Sequence, residues 1–285
     1  MSKFEHSVIV KITTEKGLVY FKKSDVSEAF VASRIAKEKP DFSPDILGAD
    51  IERGWLLTRS GGDRLIESGN SNHWFEAVRK LGIFHRQVPF STFQSGLKTT
   101  SFYYNNLSDA FSCFLNNKEW LSYWDIEEVL YEDLVVLCPE VEKACCEILK
   151  LNLPDAVCHG DAHPMNVLFS DDSVKWFDWC EATLSNPMTD IGWFLVWLLP
   201  KRENLDIDVS KEFLSRVFEN YCQGYGVEAK GSLLRHVMFY ALAHRVIVYH
   251  QRFYQADLGF KSYFVTWFLK LMRRVSNYER QELFV

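Results

Sequence analysis

Hydrophobic positions recur along the chain in two different periods, and the change between them falls near Ser60. Val8, Val10 and Ile12 alternate with Ile9, Lys11 and Thr13, the two-residue period of a strand. Glu15-Lys16-Gly17 supplies a turn, and Leu18–Lys22 resumes the extended pattern. A helix is predicted over Val26–Lys37, with Ser24 or Asp25 as its cap and Pro40 and Pro44 closing it. Ile46–Leu47 and Trp55–Thr58 predict two short strands. Ser60-Gly61-Gly62-Asp63 is a strong break, and it divides the chain into residues 1–59 and 60–285.

Beyond the break the period is mostly helical. Trp74, Phe75, Val78, Leu81 and Phe84 place a helix over Asn72–Arg86, and Val88–Thr100 follows as a polar loop. Further helices are predicted over Ser108–Asn116, Asp125–Leu137, Glu140–Leu149, Met188–Leu199, Val209–Tyr221, Leu233–Tyr254 and Tyr263–Val275. Val167–Phe169 and Val174–Phe177 predict two strands around the turn Ser170-Asp171-Asp172. The expected class is α+β, with a small β-rich N-terminal lobe and a large helical C-terminal lobe.

Composition narrows the possible functions. The formal net charge of -6 argues against a nucleic-acid binder, which needs a basic face to meet phosphates. The most apolar stretch, Ile191–Leu199, is too short to span a bilayer. Seven cysteines, with no CxxC and an odd count, point to reduced thiols and a cytoplasmic protein. The expected partner is a small molecule, neither nucleic acid nor membrane.

The chemistry concentrates in Cys158-His159-Gly160-Asp161-Ala162-His163-Pro164-Met165-Asn166-Val167-Leu168-Phe169 and in Trp176-Phe177-Asp178-Trp179. The first segment resembles the catalytic loop HGDxHxxN of the aminoglycoside phosphotransferase and choline kinase family, which has a protein kinase-like fold. The second resembles that family's metal-binding strand ending in Asp-Trp. Asp190-Ile191-Gly192-Trp193 is similar to the helix start that follows it. Phosphoryl transfer needs hard oxygen ligands for Mg²⁺ and a separate carboxylate beside the attacking hydroxyl. The resemblance gives the metal to Asn166 and Asp178 and the acceptor's proton to Asp161. The five-residue step from Asp161 to Asn166 matches the protein-kinase spacing. His159 and Asp190 are expected to hold the scaffold. A rival reading builds a metal site from His159, Asp161 and His163.

In the small lobe, Val19-Tyr20-Phe21-Lys22 resembles the strand carrying the phosphate-binding lysine, with Glu28 on the next helix as its partner. Lys22 is favoured over Lys23, which would point to the other face. Gly54–Gly62 resembles the hinge that meets the base of the nucleotide, which brings in Thr58, Arg59 and Ser60. Leu81-Gly82-Ile83-Phe84-His85 resembles a helix of the C-terminal lobe, with His85 read as a packing residue. One departure stands out. The family sets two strands and a phosphate-covering loop ahead of the lysine strand, whereas residues 1–16 offer one clear strand, Ser7–Thr14, and no glycine.

The family binds its acceptor with the C-terminal lobe, where Glu181, His244, Tyr249, His250 and Arg252 are candidates, and Glu181 and His250 are carried forward. The resemblance implies transfer of the γ-phosphate of ATP, or of GTP, with Mg²⁺, to a hydroxyl of an aminoglycoside, amino alcohol or sugar. The alternative is a catalytically weak kinase-fold protein that works by binding.

Overall fold

The computed structural model describes residues 8–88, 91, 93, 97–99, 106–126, 128–170, 173–199, 205–254 and 263–276. The turn residues Asp171 and Asp172, Ser7 and much of the predicted loop 88–100 lie outside the described residues. Two compact units divide the chain. The first comprises Met1–Thr99, Ala156–Leu184 and Pro200–Ala229; the second comprises Thr100–Asp155, Ser185–Leu199 and Lys230–Val285.

In the first unit, β1 (Val8–Thr14) and β2 (Gly17–Lys23) form an antiparallel hairpin, with Thr14 opposite Gly17. Gly17 closes the turn at φ +104, a conformation that costs glycine little. β3 (Ile46–Asp50) and β4 (Trp55–Arg59) complete a four-stranded sheet in the order β1-β2-β4-β3. α1 (Val26–Glu38) follows β2, and Asp25 is its cap, accepting from the Glu28 N–H at 2.7 Å. The alternation in β1 predicts one buried face, yet all seven residues are exposed, Ile9 at 61%. β1 is an edge strand, so alternation there marks which residues share a face and not which face is covered.

A second layer carries the motif segments. β5 (Asp63–Arg64) pairs with β8 (Val167–Ser170), and β8 pairs with β9 (Ser173–Trp176). β6 (Lys98–Thr99), β7 (Ala156–Cys158) and the start of β10 (Thr183–Ser185) form a small sheet. α2 (Ser71–Gln87) packs on α7 (Lys211–Tyr225). His85 is buried there, its Nδ1 2.9 Å from the Tyr221 hydroxyl, as expected of a packing residue. Phe42 stacks on Phe84 at 4.3 Å, and Trp176 and Trp179 complete the cluster, with the Trp176 indole Nε1–H donating to Ala77 O at 3.1 Å. Each such ring contributes roughly 1.5–3 kcal/mol by burial. The cluster fixes the strand end that leads into Asp178.

The second unit is helical: α3 (Leu107–Asn116), α4 (Lys118–Tyr123), α5 (Glu128–Lys150), α6 (Met188–Leu198), α8 (Gly231–Phe253) and α9 (Phe264–Ser276). The two helices expected on either side of Pro139 are one, α5, with Pro139 inside it. Proline removes one intrahelical hydrogen bond. Burial of Leu134, Leu137, Val141, Ala144 and Ile148 along one stripe offsets that loss. Asp190, in the first turn of α6, is buried, and so is His244 on α8. Burial pushes the His244 imidazole down to about 3. Among the described residues, no helix is long and apolar enough to cross a membrane.

Candidate active site

The loop between β7 and β8 is held by its own polar groups. The His159 ring is saturated by backbone. Its Nε2 lies 2.8 Å from Phe177 O, and its Nδ1 accepts from the Asp161 N–H at 3.3 Å. The carbonyl fixes the proton on Nε2, so neither nitrogen is left for a metal. This removes the rival site built on His159, Asp161 and His163. Gly160 has φ +77, and a Cβ there would lie 1.8 Å from Glu181 O. The loop and the Glu181 backbone approach so closely that only glycine fits.

Asp161 and Asn166 are joined within this loop. Asn166 Nδ2 donates to Asp161 O at 3.0 Å and lies 3.3 Å from His163 Nε2. The amide nitrogen is thereby committed, and the acceptor atom of the side chain is Oδ1. The Asp161 carboxylate, 28% exposed, lies 3.2 Å from His163 Nε2 and can be reached from solvent. Asn166 O in turn accepts from the Phe177 N–H at 3.1 Å, which links the loop to the residue before Asp178.

Asp178 stands at φ +65, one of three described non-glycine residues with positive φ. Such strain, costing on the order of 1–3 kcal/mol, persists where the surroundings over-determine it. Here the Trp176–Trp179 cluster does so. Lys22 Nζ bridges two carboxylates, at 2.7 Å from Glu28 Oε1 and 2.8 Å from Asp178 Oδ1. The Ser24 hydroxyl donates to the other Glu28 oxygen. Burial alone would lower the Lys22 ammonium, but Asp178 and Glu28 more than offset it and hold it above the lysine range. Burial raises Asp178, and Lys22 overrides it, holding the carboxyl below its ordinary value. Glu28 is raised by burial beside Asp178 in spite of Lys22. Cys180 adds a thiol, and ligand atoms of Glu28, Asp178 and Cys180 lie within 4.8 Å of one another. The Lys22 ammonium, however, already bridges the two carboxylates.

Lys23 is exposed and makes neither ion pair. Lys22→Met should therefore leave buried Glu28 beside Asp178 without its cation. The expected loss is about 3 kcal/mol of stability in a denaturant titration. Affinity for a nucleoside triphosphate should fall more than about tenfold, or 1.4 kcal/mol. Lys23→Met should change stability by no more than about 0.5 kcal/mol. Equal effects of the two substitutions would contradict the assignment.

Lys22, Glu28 and Asp178 open on a cavity of about 450 Å³, lined also by Ile9, Tyr20, Thr58, Arg59, Ser60, Leu168 and Phe177; Asp161 and Asn166 are not among its lining residues. The cavity brings the expected Lys22, Glu28, Thr58, Arg59, Ser60 and Asp178 to one place. The Arg59 N–H donates to Asp45 O and the Ser60 N–H to Leu18 O, each at 2.9 Å, which fixes the end of β4 at the cavity. Leu168, Phe177 and Tyr20 escaped the motif reading. Their signal was strand alternation, since Tyr20 shares its face with Lys22.

The acceptor candidates are placed less directly. Glu181 is half-buried, its backbone against Gly160. His250, in the second unit, is buried among aromatic rings. Its Nδ1 accepts from Trp124 Nε1 at 3.0 Å, and its centroid is 4.4 Å from Trp120 and 5.1 Å from Phe114. Burial pushes its imidazole down to about 4, so it is neutral at pH 7. These contacts describe a packing residue.

A model of the phosphotransferase enzyme family (APH) matches residues 42–232, more than half of the chain. A comparison with curated sequences returns no match. Among solved structures, the GDP and kanamycin complex of APH(2″)-IIia is similar at TM-score 0.60 and 14% identity, covering 97% of this chain and 94% of that one. The ethanolamine kinase of Plasmodium vivax matches at TM-score 0.57 and 13% identity, covering 95% and 79%. Amicoumacin kinase hAmiN, solved with AMP-PNP and Ca²⁺, matches at TM-score 0.52 and 16% identity, covering 98% and 86%. The fold is protein kinase-like, and the chain belongs to the phosphotransferase enzyme family.

Proposed function

We propose that this chain transfers the γ-phosphate of ATP or GTP to a hydroxyl of a small molecule such as an aminoglycoside, amino alcohol or sugar. The observation that carries the reading is the Lys22 bridge between Glu28 and Asp178, set in the same cavity as Thr58, Arg59 and Ser60. In this reading residues 1–59 bind the nucleotide and residues 60–285 supply the chemistry and the acceptor. The base lies at the Thr58–Ser60 end, and Lys22, oriented by Glu28, meets the phosphates. Asp161 positions the acceptor hydroxyl and takes its proton. Glu181, whose backbone meets Gly160 of the loop, is the acceptor candidate carried forward, and His250 serves packing.

The donor set fits a hard divalent cation such as Mg²⁺. Asp178 offers an ionised carboxylate, and Asn166, its amide nitrogen committed to Asp161 O, offers Oδ1. Such an ion neutralises charge on the transferring phosphates when bound. Amicoumacin kinase hAmiN was likewise solved with a nucleotide analogue and a divalent ion, AMP-PNP and Ca²⁺. Cysteines without a disulfide among the described residues support a cytoplasmic setting.

A second reading, a kinase-fold binding protein of weak activity, is favoured by one observation. β1 joins the lysine strand through a two-residue turn, so within the described residues no glycine-rich loop precedes Lys22. Thermal melting with ATP and with GTP, with and without Mg²⁺, tests nucleotide use. At a nucleotide concentration a hundredfold above Kd, stabilisation of about 2.7 kcal/mol is expected, and it should require the metal. A melting curve unmoved by either Mg-nucleotide would contradict the proposal.

A further inference from the structure

In an antiparallel sheet, residues directly opposite one another put their side chains on the same face. Ile9 stands opposite Lys22 and Lys11 opposite Tyr20, so Lys11 on β1 shares the face that carries Lys22 on β2. Both lysines line the cavity of about 450 Å³. They are diagonal neighbours across the two strands, a separation of about 7–8 Å. Two ammonium groups so placed repel one another until an anion lies between them.

The other charges of the cavity single out Lys11. Lys22 already stands between two carboxylates, Glu28 at 2.7 Å and Asp178 at 2.8 Å. Arg59 pairs with Asp45 at 3.5 Å. Arg64 enters the lining together with two carboxylates of its own segment, Asp63 and Glu67. Lys11 has Ile9 and Thr13 beside it on its strand face and Tyr20 across from it, none of them acidic. Among the described residues it makes neither a hydrogen bond nor an ion pair. Lys16 and Lys23, exposed in the same hairpin, do not line the cavity. β1 is also the edge of its sheet, with all seven residues exposed, and no glycine-rich loop precedes Lys22 within the described residues. A lysine on its flexible four-carbon stem supplies there the positive charge that such a loop supplies through backbone N–H groups.

We infer that Lys11 is a second phosphate-binding cation, reaching from the edge strand to the polyphosphate chain that Lys22 meets from β2. The inference rests on the nucleotide reading above and adds a contact which that reading leaves out. The gain in affinity from adenosine to ATP therefore depends on Lys11 as well as on Lys22.

The test compares Lys11→Met, which keeps an apolar stem and removes the charge, with Lys11→Arg, which keeps the charge. Lys23→Met removes a neighbouring charge from the opposite face. Calorimetric titration of adenosine, ADP and ATP, each with Mg²⁺, is the readout. Lys11→Met should bind ATP about tenfold more weakly than the parent and adenosine within about twofold of it. Lys11→Arg and Lys23→Met should bind ATP within about threefold of the parent. Added salt should narrow the gap between the parent and Lys11→Met, because it screens an exposed charge pair. Retained adenosine binding by Lys11→Met separates a lost phosphate contact from damage to the fold. The inference is overturned if Lys11→Met binds ATP as the parent does. It is overturned equally if adenosine is weakened as much as ATP, which would put Lys11 on the base or ribose, or if Lys23→Met loses as much as Lys11→Met, which would make the effect one of overall charge. A parent that binds none of the three overturns the nucleotide reading itself, and this inference with it.

Discussion

Asp161→Asn should lower phosphate transfer at least about a hundredfold, or 2.7 kcal/mol of transition-state stabilisation, while nucleotide affinity stays within about twofold. The substitution keeps the size of the side chain and removes its negative charge. Asp161 O, which accepts from Asn166 Nδ2, belongs to the backbone and is unaffected. The loop is also held by the His159 hydrogen bonds to Phe177 O and the Asp161 N–H, which the substitution does not touch. What is lost is the carboxylate that orients the acceptor hydroxyl and takes its proton. Turnover and nucleotide titration, measured on the same preparation, check the split. If affinity collapses while turnover per bound nucleotide survives, Asp161 is a metal ligand and its role is exchanged with that of Asp178.

Asp178→Asn should show the reverse pattern at the binding step. Removing one hard anionic ligand abolishes the gain in ATP affinity produced by Mg²⁺ and lowers transfer by about two orders of magnitude. Affinity for ATP without metal should stay the same or rise, because one negative charge facing the triphosphate is gone and Lys22 is released from its 2.8 Å pairing. Titration of ATP into parent and variant at several Mg²⁺ concentrations reads this directly. An undiminished Mg²⁺ effect in the variant would mean that Asp178 is not the ligand.

Much of this site was legible in the sequence because it lies in short, ordered segments. The loop from His159 to Asn166 and the Asp178 strand carry their spacing on the surface of the sequence. Strand alternation puts Lys22 and Lys23 on opposite faces, and the resemblance of Val19–Lys22 to the lysine strand chooses between them. Two kinds of feature were harder to see. The first depends on which face of a strand is covered: β1 alternates like a half-buried strand but lies exposed at a sheet edge. The second depends on tertiary override of local signals. Pro139 suggested a helix boundary, and the buried stripe of α5 carries the helix through it. His250 has the polarity of a substrate ligand, and only its neighbours Trp120, Trp124 and Phe114 show that it is packed.

The central claim is that this chain moves a phosphoryl group through Asp161. Transfer of label from γ-labelled ATP, with Mg²⁺, to a panel of amino alcohols, aminoglycosides and sugars tests it most directly. The account predicts a labelled phosphomonoester of at least one acceptor, formed by the parent at least about a hundredfold faster than by Asp161→Asn. Label that reaches no acceptor in the panel, or that reaches one equally fast with both proteins, would contradict it.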